Sequence, residues 1–225
     1  MRNAVKIDAS TVITVDNSGC IGEKALDAVH VPNELTAYYS ARVVLLEQWC
    51  AGAEPTNIFL SNFTGEVAWK DYIKGIEKAF DEIGLAVPPI NGSTESNFNS
   101  LQSGISLVVV GKVQYEISKE NLQWFVIGKP LVGQEVIEET QHVAKLNELY
   151  NLVKLKIVKQ IWPVGSKGIL AELERILPGG KFECSLDLEK TSGPATAVIV
   201  GIPQMDLGEF EKQISTCYEP VRVFI

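Results

Sequence analysis

The sequence has no glycine-rich phosphate cradle. Neither a G-x-x-x-x-G-K-[ST] loop nor a G-x-G-x-x-G turn occurs in its 225 residues, so any nucleotide must be held by another route. Histidine is nearly absent: His30 and His142 are the only two, too few for a histidine-rich metal cluster. No nucleophile elbow supports Ser-His-Asp hydrolysis. The four cysteines, Cys20, Cys50, Cys184 and Cys217, are widely spaced and form no C-x-x-C pair. That excludes a zinc signature and a disulfide framework, and predicts reduced thiols in a cytoplasmic protein. Basic runs are missing and the net charge is −8, which argues against a nucleic-acid partner because that attraction needs clustered Lys and Arg. No apolar stretch approaches the roughly 20 residues of a bilayer span, so no membrane association is expected. The opening residues, Met1 to Asp8, lack an apolar core, and no secretory signal is expected.

What is present is globular. With 46% hydrophobic and 21% charged residues the chain can build packed cores, and its length suits one large domain or two small ones. Val12–Val15 reads as a short strand running into a turn-rich segment, Asp16 to Gly22. Asn33 is placed to cap a helix that stops near Gly52, with Leu35, Tyr38, Tyr39, Arg42, Leu45, Leu46 and Trp49 recurring at helical spacing over a wide apolar face. Asn57–Phe63 reads as a strand, Glu66–Ile83 as a helix ended by Gly84, and Asn91–Ser100 as a polar loop. Ile105–Val113 reads as an apolar strand.

The second half has a different texture. Gly128–Gly133 reads as a loop, Thr140–Gln160 as a long helix closed by Pro163, and Gly165–Gly168 as the start of a shorter helix through Ile176. Strands are expected at Lys181–Leu188 and Ala195–Gly201, a helix over Leu207–Ile214, and a last strand at Val221–Ile225. The order predicts a mixed α+β (α/β) protein in two parts, 1–113 and 114–225, with a join around 114–135.

Carboxylates offer the alternative route to a nucleotide, because Mg²⁺ takes a few carboxylate oxygens and fills its other positions with water and phosphate. Asp16 opens a glycine-containing turn, where Asp is also common for purely local reasons. Asp27 precedes the apolar run Ala28–Val31. Glu47 stands among Val43, Val44, Leu45, Leu46 and Trp49, where a carboxylate needs a partner or a solvent opening. These three are the predicted metal ligands.

The segment Glu47-Gln-Trp-Cys-Ala-Gly-Ala-Glu-Pro55 resembles the helix end of aminoimidazole ribonucleotide (AIR) synthetase and thiamine-monophosphate kinase, where an acid stands five positions before Gly-Ala-x-Pro. Asn91-Gly92-Ser93-Thr94 is similar to the Gly-Gly-x-Thr loop of those enzymes, which also leads into an apolar strand. Asp16-Asn17-Ser18-Gly19 and Asp27 look like their early acidic turn and strand end. The resemblance covers roughly residues 10–113. It implies an AIR-synthase-like N-terminal domain with a mixed sheet, followed by a reduced C-terminal α/β domain. It further implies ATP and Mg²⁺ as cofactors, a small-molecule substrate and a homodimer. On this basis Asp16, Asn17, Asn91, Gly92, Thr94 and Glu95 are expected to contact the nucleotide, and Asp16, Asp27 and Glu47 the metal. The sequence departs from the family pattern: the chain is shorter than is usual for the family, Asn91 replaces the first glycine and Ser93 the acid often found at the third position, and Lys167 stands where thiamine-monophosphate kinase has an acidic helix start. A cation there is favourable only beside an anion, so Lys167 is expected near a phosphate. Gly128–Val136 and Trp162–Ile169 look like a short branch that includes α-ribazole kinase of cobalamin salvage. The expected function is therefore ATP-dependent phosphorylation of a riboside-type acceptor, with a non-catalytic ATP-binding regulatory or maturation protein as the alternative. A ring-closing or amidotransferase-like ATPase is the third reading, weakened by the lack of a glutaminase domain. No catalytic base is identified.

Overall fold

The structure is a computed structural model that describes residues 3–224. The chain divides into two compact units, residues 1–115 and 116–225.

In the first unit the strands are β1 (Val5–Lys6), β2 (Thr11–Gly19), β3 (Ile21–Gly22), β4 (Val29–His30), β5 (Ala53–Asn62), β6 (Ile90–Thr94) and β7 (Gly104–Val113). Five of them form one sheet in the order β1-β2-β7-β5-β6. Every neighbouring pair is antiparallel except β5 and β6, which run parallel. Helix α1 (Asn33–Cys50) lies on β2, β7 and β5, and α2 (Trp69–Ile83) packs on α1. Being covered from both sides explains why α1 has no single apolar stripe: Ala37, Ala41, Leu45, Leu46 and Trp49 are all fully buried. Each large apolar side chain so buried contributes about 2 kcal/mol. The two helices approach closely at Gly75, where an added Cβ would stand 2.1 Å from the carbonyl oxygen of Glu34.

Alternation along the strands divides the sheet cleanly. Val12, Thr14, Ile58, Leu60, Ile105, Leu107 and Val109 face α1 and are buried. Ile13, Val15, Phe59, Val108 and Val110 lie on the opposite face and keep solvent contact. Inside, Gln48 Nε2 donates to Thr14 Oγ1 (3.1 Å) and to the Val109 carbonyl (2.9 Å), tying α1 to the central strands. Arg42 is also buried; the Tyr38 and Tyr39 hydroxyls and the Glu82 carboxylate surround its charge.

In the second unit, β8 (Leu122–Ile127), β9 (Gln160–Pro163), β10 (Lys181–Glu183), β11 (Val198–Pro203) and β12 (Tyr218–Phe224) form a sheet in the order β10-β12-β8-β11-β9. All its pairs are antiparallel. The helices are α3 (Glu135–Glu138), α4 (Leu146–Lys154), α5 (Gly168–Ile176) and α6 (Leu207–Gln213). Phe125, Phe210 and Tyr218 meet edge-on or tilted, with centroids 5.0–5.8 Å apart. Trp162 Nε1 donates to the buried Glu172 carboxylate at 2.9 Å. Among the described residues no helix is long and apolar enough to cross a membrane.

The mixed α+β class holds, and several boundaries move. Strand β2 runs through Asp16 to Gly19, because the backbone of that segment pairs with β7 rather than turning. Residues 91–94 form β6 instead of a loop, drawn into the sheet beside β5. Asn33 is the first residue of α1, preceded by Pro32 at the cap position. The long helix expected over 140–160 is shorter: α4 ends at Lys154, Lys156 takes a left-handed φ of 59°, and residues 160–163 become a strand. Leu122–Ile127, the middle of the second sheet, carried no strand expectation. Ile225, the end of the last expected strand, lies outside the described residues.

Candidate functional site

Most of the expected site residues of the first unit lie at one end of its sheet, and the strand register shows why. Ser18 of β2 is paired with Ile105 of β7, Ile105 with Asn62 of β5, and Asn62 with Thr94 of β6. One step inward the row is Asp16, Leu107, Leu60 and Gly92. The carboxyl end of β2, the start of β7 and the carboxyl ends of β5 and β6 therefore share an edge.

Hydrogen bonds lock this edge. Asn62, almost wholly buried, donates from Nδ2 to the Gly65 carbonyl (2.8 Å) and to Thr94 Oγ1 (3.1 Å), while its Oδ1 accepts from the Thr64 amide (2.9 Å). Thr64 Oγ1 is bonded to the Tyr72 hydroxyl and accepts from the Gly104 amide (2.9 Å). Burial pushes the Tyr72 hydroxyl above the ordinary tyrosine range, against the pull of Thr64. The segment after β6 is tied down as well. Lys24 Nζ donates to the carbonyl (2.6 Å) and hydroxyl (2.7 Å) of Ser100, and Ser100 Oγ donates to the Phe63 carbonyl (2.6 Å). Leu26, Phe63, Phe98 and Leu101 stand exposed on these tied segments.

Asp27 is the most constrained acid. Its Oδ1 accepts from the Ser103 amide (2.7 Å), and its Oδ2 from Ser103 Oγ (2.7 Å) and the Lys24 amide (2.9 Å). Burial alone would raise its pKa, but these bonds and the nearby His30 outweigh burial and hold it below the usual aspartate range. Glu47 is fully buried in α1, where its Oε2 accepts from the Asn3 amide (3.1 Å). Asp16 is half-buried on β2, and its carbonyl accepts from Ser106 Oγ (3.1 Å). Its neighbour Asn17 is exposed on the opposite face of the sheet.

On the other flank Asn91, Gly92 and Ser93 are exposed, and Thr94 and Glu95 are half-buried. Glu95 donates its amide to the Asn62 carbonyl (2.8 Å), and its Oε1 caps the Asn97 amide (2.7 Å). Gly92 has a structural reason to be glycine, since an added Cβ would stand 1.9 Å from the Leu60 carbonyl oxygen. Lys167 belongs to the second unit and is exposed at the cap position of α5.

The sheet edge thus brings Asp16, Asn17, Asn91, Gly92, Thr94 and Glu95 onto one end, with Asp27 bonded in beside them. It does not stack them. β2 and β6 are three strand spacings apart, about 14 Å at about 4.8 Å per spacing. One phosphate group cannot touch both flanks, whereas an extended nucleotide can. Among the described residues, no three His, Cys, Asp or Glu side chains form a ready metal cluster. Of the three acids expected to bind metal, Asp27 has both oxygens engaged and Glu47 is sealed from solvent. Asp16 alone keeps the partial exposure that a cation shared with phosphate oxygens requires.

Sequence reasoning passed over Asn62, Ser103, Thr64 and Tyr72, which build the edge. Asn62-Phe-Thr64-Gly65 directly after an apolar strand was the available signal, since Asn bonds the backbone two residues on and glycine permits the turn.

No protein-family model matches the chain. No curated protein matches it either. Solved structures do. Thiamine monophosphate kinase from Aquifex aeolicus aligns over 100% of this chain and 89% of its own, with a TM-score of 0.68 at 14% identity. The same kinase complexed with AMPPCP and TMP aligns over 98% and 83%, with a TM-score of 0.64 at 14% identity. HypE, in a complex with HypF, aligns over 98% and 87%, with a TM-score of 0.63 at 14% identity. At such identities the likeness speaks for architecture, and the chain has the AIR-synthase-like fold from end to end.

Proposed function

We propose that this chain binds ATP with Mg²⁺ at the polar edge of its first sheet and transfers a phosphoryl group to a small riboside-type acceptor. The observation that carries the reading is the fold shared along the whole chain with a thiamine monophosphate kinase whose structure contains the ATP analogue AMPPCP. Phosphoryl transfer asks a protein mainly to position reactants and neutralise charge, which suits a site made of bonded polar groups without an obvious base.

In this reading Asp16 is the carboxylate that meets the metal, and Mg²⁺, when bound, supplies the positive charge that the acidic edge lacks. Asn17, Asn91, Gly92, Thr94 and Glu95 contact the nucleotide. Thr94 is oriented by Asn62 and the strand end by the Glu95 amide. Asp27 acts behind them, fixing the Ser103 turn at the start of β7, whereas Glu47 bonds Asn3 toward the other end of the sheet, where Ala4 packs with Val12, Ala51 and Ala53. Lys167, exposed at the cap position of α5 in the second unit, offers its cation to a phosphate group. α-Ribazole is the acceptor to try first, because Gly128–Val136 and Trp162–Ile169 resemble its kinase.

A homodimer fits the first unit. The sheet face turned away from α1 is apolar at Ile13, Val15, Phe59, Val108 and Val110, with Val15 and Phe59 42% and 44% exposed. Light scattering at micromolar concentration should give twice the 24.7 kDa chain mass.

Titration calorimetry with ATP, with and without Mg²⁺, tests the site. Saturable binding in the wild type and at least about tenfold weaker MgATP binding in Asp16→Asn, about 1.4 kcal/mol, are expected. No saturable binding up to millimolar ATP would end the proposal. Mass spectrometry of α-ribazole incubated with MgATP and folded protein tests the acceptor: binding without any phosphorylated product would favour a non-catalytic role.

A further inference from the structure

The second unit contains a nucleophile–base pair that the ATP reading does not use. Cys217 is solvent-exposed, and its Sγ lies 3.7 Å from Nδ1 of His142, within hydrogen-bonding reach for sulfur. The far ring nitrogen, Nε2, faces Glu139 Oε2 at 4.0 Å. Thiol and imidazole are therefore within reach of each other, the arrangement in which a base can take a thiol proton, with the carboxylate beyond at ion-pair rather than hydrogen-bond distance.

Three features make this more than a chance surface contact. Two consecutive amides hold the pair: Gly128 N–H donates to the Cys217 carbonyl (2.8 Å) and Lys129 N–H to the His142 carbonyl (2.9 Å). Gly128 has φ +78°, and an added Cβ would stand 2.5 Å from the Thr196 carbonyl and 2.9 Å from that of His142, so the close approach depends on glycine. The approach to Cys217 is fixed from the other side by Glu148. That carboxylate accepts from Ser215 Oγ (2.6 Å), the Thr216 amide (3.1 Å) and Thr216 Oγ1 (2.8 Å), and Lys145 bridges Ser215 Oγ (2.6 Å) and Glu148 (3.3 Å). Sγ is thus presented to solvent from a backbone that is hydrogen-bonded on both sides. Glu139 faces His142, and Lys145 and Glu148 meet the Ser215–Thr216 segment just before Cys217. Of the other cysteines, Cys50 is buried and Cys20 and Cys184 are half-buried.

We propose that Cys217 is a nucleophilic thiol served by His142, and that it forms a mixed disulfide with small disulfides of the glutathione type. His142 Nδ1 takes the Sγ proton, and the thiolate attacks one sulfur of the reagent. The S–S bond of the reagent breaks, and its electron pair leaves on the departing sulfur, which takes the proton back from His142 and leaves as a free thiol. Cys217 sulfur is oxidised to the mixed disulfide as half the reagent is reduced, so atoms and electrons balance.

The test is competitive labelling of the full chain with limiting iodoacetamide, and separately with glutathione disulfide, read per cysteine by peptide mass spectrometry. Cys217 in the native protein should react at least about tenfold faster than Cys217 in the same chain unfolded in urea at the same pH. His142→Gln should lower the native rate to the unfolded value, and Cys217→Ser should abolish the fast adduct. A native rate no higher than the unfolded rate would overturn the proposal, and this arm needs no variant. An unchanged rate in His142→Gln of wild-type melting temperature would also overturn it.

Discussion

Replacing Glu54 with glutamine should make the protein more resistant to neutral and alkaline pH, by an amount that grows as pH rises to about 7 and is constant above it. Glu54 is the second residue of β5 and is half-buried. Its Oε2 has no hydrogen-bond partner among the described residues. Burial pushes its carboxyl up to about 7 from the ordinary 4.5, and the Trp49 indole pulls it back only in part. The sign follows from linkage. Below about 4.5 the carboxyl is protonated in both folded and unfolded chains and has no pH-dependent effect. Between about 4.5 and 7 the unfolded chain releases the proton while the folded chain keeps it, so stability falls as pH rises. Above about 7 the whole penalty is present. The interval corresponds to an upper bound of about 3.4 kcal/mol, and solvent screening of a half-buried group reduces that to about 1–2 kcal/mol. For a chain of this size that is about 3–6 °C in Tm. The assay is differential scanning fluorimetry of wild type and Glu54→Gln from pH 4.5 to 8.5. Their difference in Tm should open from its acid value between pH 5 and 7 and then level off. The glutamine amide adds its own packing effect, but that effect is independent of pH and leaves the slope untouched. A difference that stays flat, or that opens toward acid, would refute the reasoning.

Other substitutions test other parts of the structure. Gly92→Ala puts a Cβ against the Leu60 carbonyl and should force β6 from β5, with a loss of about 3 kcal/mol or more in urea unfolding and faster amide exchange at residues 60–62. An unchanged midpoint would mean the strands do not touch as described. Glu148→Gln should destabilise the second unit by about 2 kcal/mol at pH 7, since it weakens three hydrogen bonds to a charged acceptor. Burial raises the Glu148 pKa and the Ser215 and Thr216 bonds lower it more, so this stabilisation is present above the unfolded value and lost as pH falls through the folded one. The deficit of the variant should therefore vanish toward pH 3, opposite in sign to Glu54. Asp27→Asn should cost about 1–3 kcal/mol and raise exchange at Ser103, since both carboxylate oxygens serve the turn before β7.

How much of the fold was legible depended on whether local pattern and tertiary pairing agreed. Ile105–Val113 and α2 were readable because periodicity, length and the Gly84 stop pointed the same way. Asp16–Gly19 and Asn91–Thr94 were misjudged because their residues favour turns, and only pairing with β7 and β5 makes them strands. Tertiary pairing overrode propensity in both places. Val153, Ile157 and Ile161 continue a helical spacing, so nothing in the spacing announced that the chain would turn at Lys156 and enter a sheet. Leu122–Ile127 was invisible for a related reason: it is a buried central strand whose six residues show no clear alternation.

The sequence yields a set of candidate site residues and no geometry for them. Local context and the family resemblance placed Asp16, Asp27 and Glu47 on one list, and the partners that set Asp27 and Glu47 apart come from elsewhere in the chain. Ser103 is 76 residues from Asp27, and the Asn3 amide is 44 residues from Glu47. Those partners decide the chemistry. A carboxylate bonded by three protein donors has little capacity left for a cation, and a sealed one cannot meet a phosphate oxygen. Asp16 is the acid whose exposure leaves that choice open. The distinction is measurable in one experiment with three variants. Asp16→Asn should weaken MgATP binding at near wild-type Tm, whereas Asp27→Asn and Glu47→Gln should lower Tm first and affect binding only through the fold. Equal loss of binding in all three at unchanged Tm would restore the three-carboxylate metal site and overturn the separation drawn from burial and hydrogen bonding.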